Sequence, residues 1–184
     1  MPIFGWILLA LLVLILLWAV AAYNSLIRLR NDADEAYSTM DVFLKKRYDL
    51  IPNLVETVKG YAKHESATLE NVIKARNMGA SAGTAAEKFE AENALTGTLR
   101  SLFAVAEAYP DLKANANFID LQNQLKKVEE DIANSRRYYN AVVKSYNIKT
   151  EVFPSSIVAS AFHFTRKELF EISGEQRENV KVQF

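Results

Sequence analysis

Apolar and small residues recur along the first third of the chain at alternating spacings of three and four, the period of a helix with one buried face. Arg47 interrupts this stripe, and Pro52 lies inside it. Because no turn signal separates the stripe from the apolar residues before it, the pattern predicts one helix running to about Gly60, kinked near Pro52. The stripe consists of Leu26, Leu29, Ala33, Ala36, Met40, Phe43, Leu50, Leu54, Val58 and Tyr61.

Shorter helical patterns follow, separated by stretches that contain glycine, proline or small residues. Segment 64–77 either continues the first helix or follows a turn at Gly60, and the pattern leaves both open. An asparagine is expected to cap the last long helix. In chain order the predicted elements are the amphipathic segment 64–77, a loop at 78–86, a helix at 87–109 ended by Pro110, and a loop with Asn115 or Asn117 as the cap.

The last long helix carries the most regular stripe and ends before Pro154. A short helix is expected after Pro154, followed by an irregular tail from residue 165. We interpret the stripe as bundle core, with an intermolecular coiled coil as the alternative. Since short loops join antiparallel neighbours, the predicted fold is all-α: an antiparallel up-down helical bundle whose long first helix continues from an N-terminal transmembrane helix. The stripe comprises Phe118, Leu121, Leu125, Val128, Ile132, Ser135, Tyr139, Val142 and Tyr146.

Residues 3–22 contain no charged side chain, and as a helix they would span about 30 Å, the thickness of a bilayer core. A cleaved signal peptide is the alternative, because "AVAAY" resembles a small-residue cleavage site. However, no Lys or Arg precedes the run, and the run is longer than a typical signal core. We therefore expect an uncleaved transmembrane helix, with Trp6 and Trp18 near its two ends, where aromatic belts form.

Basic residues flank this run only on its C-terminal side, at Arg28 and Arg30. The positive-inside rule then predicts a single-pass protein of the cell inner (cytoplasmic) membrane with its N-terminus outside. The predicted divisions are a short extracytoplasmic N-terminus at 1–2, the transmembrane helix at 3–22, a cytoplasmic helical-bundle domain at 23–152, and a short helix and tail at 153–184 that return toward the membrane. The predicted membrane-interface residues are Trp6, Trp18, Tyr23, Arg28 and Arg30.

Composition and spacing give no sign of chemistry. Lys plus Arg number 22 and Asp plus Glu 22, so the chain lacks the basic excess of a nucleic-acid binder, and it has no cysteine. His64 and His163 lack the spacing of paired metal ligands. The acidic cluster at 32–35 fits a solvated helix face. We predict a protein that is not an enzyme, with no catalytic residue, metal or cofactor, no nucleic-acid partner and no small-molecule substrate.

The pair Tyr-Asn occurs three times, at 23–24, 139–140 and 146–147. The last two pairs are one heptad apart, so both tyrosines fall on the stripe of the last helix and both asparagines beside it. In an antiparallel bundle we expect residues 146–147 to approach residues 23–24 near the membrane. We interpret the pairs as a register-setting polar layer, with an interface anchor and a ligand site as alternatives. The predicted layer is Asn24, Arg47, Tyr139, Asn140, Tyr146 and Asn147.

Arg47 belongs to this layer because a buried guanidinium needs an acceptor. No acidic residue on its own helix face can reach it, so the partner is expected on another helix, at Glu129 or Asp131. The ion pairs expected within the first helix are those of Lys45 with Asp41 and with Asp49.

Several strings in combination resemble the LemA family of bacterial membrane proteins: "RYDLIPNLV", "YPDLKAN" with "NFIDLQ", and "YN" followed by "FPSS". The resemblance covers nearly the whole chain. It implies a single N-terminal span, a short extracytoplasmic start and a helical-bundle domain, and it supplies no reaction and no active-site residue. Membrane peptidases and other envelope proteins are the partners that it implies.

We therefore predict a membrane-anchored helical scaffold or adaptor that self-associates and presents its cytoplasmic bundle to partner proteins. A homo-oligomer in the bilayer is expected, because copies that assemble in one membrane gain avidity. The alternative is a lipid-surface-binding or membrane-remodelling envelope-stress protein, in which the Phe-rich segment 153–170 makes the contact. Tyr61 and Tyr109 are expected at the membrane-distal tip, where partners can reach.

Overall fold

The computed structural model describes residues 3–171, and every regular element in that range is an α-helix, which confirms the predicted fold class. The first helix ends one residue before the predicted Gly60. It contains a stretch long and apolar enough to cross a membrane, with a mean hydropathy of 2.9, and none of that stretch is buried. The helices are α1 (Ile3–Lys59), α2 (Ser66–Ser81), α3 (Ala85–Glu107), α4 (Pro110–Lys113), α5 (Ala116–Glu151) and α6 (Ser155–Ala161).

The described residues divide into two compact units. Unit 1 contains residues 3–38 and 137–169, and unit 2 contains residues 39–136 and 170–171. Helices α1 and α5 each contribute residues to both units.

In unit 1, α6 packs against α1 through small and branched side chains. Val158 and Ala159 are buried against Ala22 and Leu26. The short helix predicted after Pro154 is therefore present. After α6 comes a segment without regular structure, residues 162–169, which we call the strap.

The strap leaves α6 at His163, whose φ of 56° lies in the left-handed region. Two strap rings then pack against Tyr23 of α1. The Phe162 centroid lies 4.7 Å from the Tyr23 centroid, and the Phe164 centroid lies 5.8 Å from it. Residues 165–171 have no regular structure, as predicted for the tail, and the remaining tail residues, 172–184, lie outside the described range.

Unit 2 combines the C-terminal part of α1 with α2, α3, α4 and the first part of α5, joined by short connections. Thr84 and Glu87 form a capping box at the start of α3, in which each side chain accepts from the backbone N–H of the other. Asn115 Oδ1 accepts from the Phe118 N–H at 3.0 Å at the start of α5. Of the two predicted caps, Asn115 and not Asn117 therefore fills the role.

The loop predicted at 78–86 is wrong over its first half, because α2 continues to Ser81. Gly79 is buried beneath the ring of Tyr48, and a Cβ at this position would lie 2.6 Å from the Tyr48 hydroxyl oxygen. The glycine serves close approach of two helices and does not end α2. The stretch from Pro110 to Lys113, also predicted as loop, forms α4, since proline is favoured in the first turn of a helix.

Within α1 and α5, three predicted stripe positions are wrong by one residue, and in each case the next residue along the chain is the buried one; beyond α1, Tyr61 is likewise exposed and Ala62 buried. An α-helix drifts by about 20° per heptad against a strict seven-residue repeat, so the buried position of a long helix steps forward. The structure buries Leu44, Ile51 and Val143 where Phe43, Leu50 and Val142 were predicted.

Helix α1 continues through Pro52 to Lys59 without a break. A proline has no N–H, so the carbonyl four residues earlier, that of Tyr48, loses its intrahelical donor. The Nε–H of Arg76, on α2, donates to this carbonyl at 3.2 Å. Pro52 therefore creates an acceptor on α1 that joins α2 to it.

Candidate functional site

Asn147, near the end of α5 in unit 1, holds the strap by its main chain. Its Nδ2 donates to the Lys167 carbonyl at 2.9 Å, and the Lys167 N–H donates to its Oδ1 at 2.9 Å. The Lys167 ammonium then pairs with the Asp34 carboxylate of α1 at 2.6 Å. A buried amide that is satisfied on both sides by one residue of the strap fixes the position of the strap along α5.

Two tyrosines of α5 bind the strap in the same way. The Tyr139 hydroxyl donates to the Glu168 carbonyl at 2.8 Å, and the Tyr146 hydroxyl donates to the Thr165 carbonyl at 2.9 Å. We call Tyr139, Tyr146 and Asn147 the Tyr–Asn clamp. Burial raises the pKa of Tyr139 to about 12 and also raises the pKa of Tyr146. Both hydroxyls therefore stay protonated, and remain donors, at neutral pH.

The clamp residues were predicted as part of a register-setting polar layer, and in the structure their hydrogen-bond partners belong to the strap. Asn140 is half-buried beside them. Asn24 is exposed, and within residues 3–171 no hydrogen bond joins the pair 23–24 to the pair 146–147. The α1 charges that act on the Tyr146 hydroxyl are those of Arg30 and Asp34. These contacts do not test the predicted approach of the two Tyr-Asn pairs, which stays a prediction.

The predicted membrane-interface residues lie along the first part of α1, in unit 1. Trp6 and Trp18 are exposed on the apolar stretch, and Arg28 is exposed beyond it. The Arg30 guanidinium lies 5.4 Å from the centroid of the Phe164 ring, within cation–π range. The strap therefore covers α1 directly after its apolar stretch.

Unit 2 contains a buried ionic cluster centred on Arg47, which is 2% exposed. Its Nη1 lies 2.7 Å from Glu92 Oε2, and Glu92 is also 2% exposed. Its Nη2 lies 2.8 Å from Glu129 Oε1 and donates to Thr96 Oγ1 at 2.9 Å. Of the two partners predicted for Arg47, the structure therefore pairs it with Glu129 and not with Asp131. The three residues Arg47, Glu92 and Glu129 are called the ionic cluster below.

Tyr48 completes the hydrogen bonding of Glu92, because its hydroxyl donates to the carboxylate oxygen that Arg47 leaves open. Burial, together with the negative charge of Glu92, raises the pKa of Tyr48, so this hydroxyl remains a donor. Burial also raises the pKa of Glu129, against the opposing effect of the Arg47 charge. The cluster thus joins α1, α3 and α5 through charged groups, of which Arg47 and Glu92 are held away from water and Glu129 is partly exposed.

Two ionic partners escaped the sequence-based prediction. Glu92 follows Phe89 by three residues on the buried stripe of α3, so a carboxylate at a stripe position was the signal that could have found it. Asp41 pairs with Lys88 of α3 and not with Lys45. No ion pair of Lys45 occurs among the described residues, and the pairs predicted within α1 are therefore wrong.

A cavity of about 140 Å³ adjoins the ionic cluster. Its volume is smaller than the roughly 300–1,000 Å³ typical of small-molecule sites. The Arg47 Nε, on the same side chain, is a buried nitrogen without a hydrogen-bond partner among the described residues. We interpret the cluster as a structural connection between helices, with room beside it for water.

A large opening in unit 2 lies between the end of α1 and α2. Its volume is about 650 Å³, and we call its apolar lining residues, Val55, Leu69, Ile73 and Met78, the floor. Charged side chains of both signs surround the floor. We call this opening the α1–α2 groove. The rim residues are Glu56, Lys59, Lys63, Glu70 and Lys74.

Within residues 3–171, no group of three or more His, Cys, Asp or Glu side chains is placed to hold a metal ion. His64 and His163 are both exposed, and they lie in different units. The described residues thus offer three features for function: the apolar stretch of α1, the clamp with its strap, and the α1–α2 groove.

Comparison with known proteins places the chain among bacterial relatives. Residues 36–184 match the model of the LemA family. Protein LemA of Metamycoplasma hominis is 26% identical over 165 residues, covering 88% of this chain and 74% of that protein. Magnetosome protein MamQ 2 of Paramagnetospirillum magneticum is 25% identical, and magnetosome protein MamQ of Magnetospirillum gryphiswaldense is 23% identical. The chain spans 64% of the length of each of these magnetosome proteins.

Proposed function

The chain belongs to the LemA family, and we propose that it is a membrane-anchored helical scaffold that holds partner proteins at a bilayer and performs no chemistry of its own. In this proposal, the apolar stretch of α1 is the anchor. The flanking Arg28 and Arg30 favour the cell inner membrane with the N-terminus outside and the helical units in the cytoplasm.

The α1–α2 groove is the observation that carries this proposal. An apolar floor between two helices suits the apolar face of a third helix, whose side chains enter at i, i+3 and i+4 spacing. The floor includes Met78, an unbranched side chain that adapts to different occupants. An apolar floor with a polar rim is also the usual anatomy of a protein–protein interface.

The proposed occupant is an amphipathic helix of a partner protein with acidic residues beside its apolar face. Lys63 and Lys74 at the rim form no ion pair within residues 3–171, whereas Lys59 pairs with Glu56. The two lysines are therefore available to carboxylates of the occupant. Envelope proteins, among them the membrane peptidases implied by the family resemblance, are the expected source of this helix.

Site-specific photocrosslinking in intact cells tests the groove. A photoreactive amino acid at position 78, on the groove floor, is compared with the same residue at position 127, on an exposed face of α5 in unit 2. We expect a protein adduct at 78 that is absent at 127 and that weakens several-fold when Ile73→Asp places a charge on the floor. Equal adducts at both positions, or no protein adduct at 78, would contradict the proposal.

Self-association is the second part of the proposal, because a small domain on a membrane helix gains avidity when copies assemble. Native mass spectrometry of the full chain in detergent or lipid nanodiscs is the test. The expected result is an oligomer that persists on dilution. A clean monomer at high concentration would contradict the proposed self-association.

The alternative function, a protein that lays a helical surface on lipid, has one specific observation in its favour. Apolar side chains around α6 remain exposed, among them those of Phe153 and Ile157. This surface lies in unit 1, beside the apolar stretch of α1. Scaffold and lipid contact are compatible if the two activities belong to different units.

A further inference from the structure

The turn from α5 into α6 exposes an unusual set of side chains. Residues 152–164, which we call the corner, contain no Asp, Glu, Lys or Arg. Phe153 is 81% exposed, Ile157 is 60% exposed and Phe162 is 59% exposed. Scattered exposed apolar residues are ordinary on a protein surface, but a contiguous uncharged set that includes two phenylalanines calls for an occupant.

The other face of the corner shows where it lies along α1. Val158 and Ala159 are buried against Ala22 and Leu26. Ala22 is the last residue of the apolar run. The corner is therefore attached to α1 at the residue where the chain is expected to leave the bilayer.

Ring contacts also place the corner at the end of the apolar run of α1. The Phe162 centroid lies 4.7 Å from that of Tyr23, the first residue after the apolar run. Charged side chains begin directly beyond the corner: Arg166 pairs with Glu151 at 2.9 Å. An apolar surface bounded by charges at the end of a membrane span matches the layered polarity of the bilayer interface, where acyl chains give way to headgroups.

We propose that the corner inserts Phe153, Ile157 and Phe162 into the headgroup–acyl boundary of the leaflet that α1 leaves. The partner is the lipid surface itself. The anchor thereby gains a second point of contact beside the transmembrane helix, and rotation and tilt of α1 are restricted. Because the surface continues directly from the apolar run, lipid is the occupant that any transmembrane placement of α1 brings to it, whichever way the chain is oriented.

This inference rests on the membrane anchoring in the proposed function and on none of its claims about partner proteins. The corner lies in unit 1 and the α1–α2 groove in unit 2, so the two can fail separately. Loss of the position-78 protein adduct with retained lipid contact at the corner would remove the scaffold and keep the corner. The opposite pair of results would remove the corner and keep the scaffold.

Tryptophan depth measurement on the full chain in nanodiscs is the test. Trp6→Phe and Trp18→Phe remove the native tryptophans, and single probes are then placed by Phe153→Trp, Phe162→Trp or Tyr138→Trp. Tyr138, on α5 in the same unit, is 59% exposed and serves as the matched control. We expect blue-shifted emission and at least twofold quenching by brominated phospholipid at 153 and 162, and water-like, unquenched emission at 138.

Three outcomes would overturn the proposal. Emission at 153 and 162 that matches position 138 would show that the corner stays in water. Protection from iodide without quenching by brominated lipid would show that a second copy or another protein covers the corner. Quenching at all three positions would show that α5 lies on the membrane along its length and that the corner has no special role. Circular dichroism of each variant verifies that its helical content is unchanged.

Discussion

Both the ionic cluster of unit 2 and the Tyr–Asn clamp of unit 1 contain buried polar side chains. The ionic cluster uses charges: Arg47 bridges Glu92 and Glu129 and joins three helices. The clamp uses neutral donors and acceptors that bind the main chain of the strap. A buried charge without its partner is far costlier than a buried neutral group without its partner. Removing one partner should therefore destabilise the ionic cluster more than it destabilises the clamp.

The largest loss of stability is expected from substitution of Arg47 in the ionic cluster. Arg47→Leu leaves the Glu92 carboxylate buried without a cation, which should destabilise unit 2 by about 3–5 kcal/mol. The free energy of unfolding is measured by urea denaturation of the full chain in detergent micelles, followed by circular dichroism.

A charge-matched variant separates the lost cation from the lost packing. Arg47→Leu combined with Glu92→Gln removes both buried charges and keeps an acceptor for Tyr48, so most of the stability should return. Lys127→Leu, on an exposed face, is the control and should change stability by no more than about 0.5 kcal/mol. If Arg47→Leu alone leaves both stability and oligomeric state unchanged, the ionic cluster does not hold unit 2.

Two glycines test how closely Tyr48, the partner of Glu92 in the ionic cluster, packs against α2. A Cβ at Gly79 would meet the Tyr48 ring, whereas a Cβ at Gly97 would meet nothing within 4 Å. Gly79→Ala should therefore destabilise the chain by about 1–3 kcal/mol, since the ring that donates to Glu92 must move. Gly97→Ala should stabilise it by up to about 1 kcal/mol through helix propensity. Urea denaturation measures the free energy of unfolding of both variants. A change of the same sign in both would refute the close packing of Tyr48 on α2.

A smaller loss of stability is expected from substitution in the uncharged Tyr–Asn clamp. Asn147→Ala removes both bonds to Lys167 and should cost about 1–2 kcal/mol. Hydrogen exchange at the Lys167 amide should quicken at least tenfold, because its acceptor is lost. Asn24→Ala is the matched control, since Asn24 is exposed and should change neither quantity. Unchanged exchange at Lys167 in Asn147→Ala would mean that the clamp does not hold the strap.

The smallest expected effect is a difference in pH dependence. Burial raises the folded-state pKa of Glu129 above its ordinary value of 4.5. The protonated form is therefore favoured in the folded chain: its stabilising contribution is fully present below about pH 4.5 and is lost as the pH rises through the raised pKa. As the pH rises through the raised pKa of Glu129, the free energy of unfolding of the wild type should fall relative to that of Glu129→Gln. The difference between wild type and Asn147→Ala should stay constant, and a pH-independent Glu129→Gln difference would contradict the assignment.

The sequence predicted the fold class and the end of α1, and it narrowed the cap of α5 to Asn115 or Asn117 and the partner of Arg47 to Glu129 or Asp131. Each of these follows from local rules, namely a repeat, a capping side chain and a charge that needs a counterion. The one-residue shifts at Leu44, Ile51 and Val143 arise because a heptad is only an approximation to 3.6 residues per turn. Period therefore locates a buried face more securely than it locates each buried residue.

The strap lay beyond sequence reasoning for a physical reason. Tyr139, Tyr146 and Asn147 bind backbone carbonyls and an N–H, groups that every residue possesses. The identity of residues 165–168 therefore carries no signal of the contact. Gly79 misled in a related way, because a glycine required for close helix approach looks the same in sequence as a glycine that ends a helix.

The central claim is that the two units face different partners, lipid in unit 1 and protein in unit 2. Photocrosslinking in intact cells at position 153 of the corner and position 78 of the groove, with mass spectrometry of the adducts, tests it most directly. We predict phospholipid adducts at 153 and protein adducts at 78. Protein adducts in place of lipid adducts at 153, or no protein adduct at 78, would contradict it.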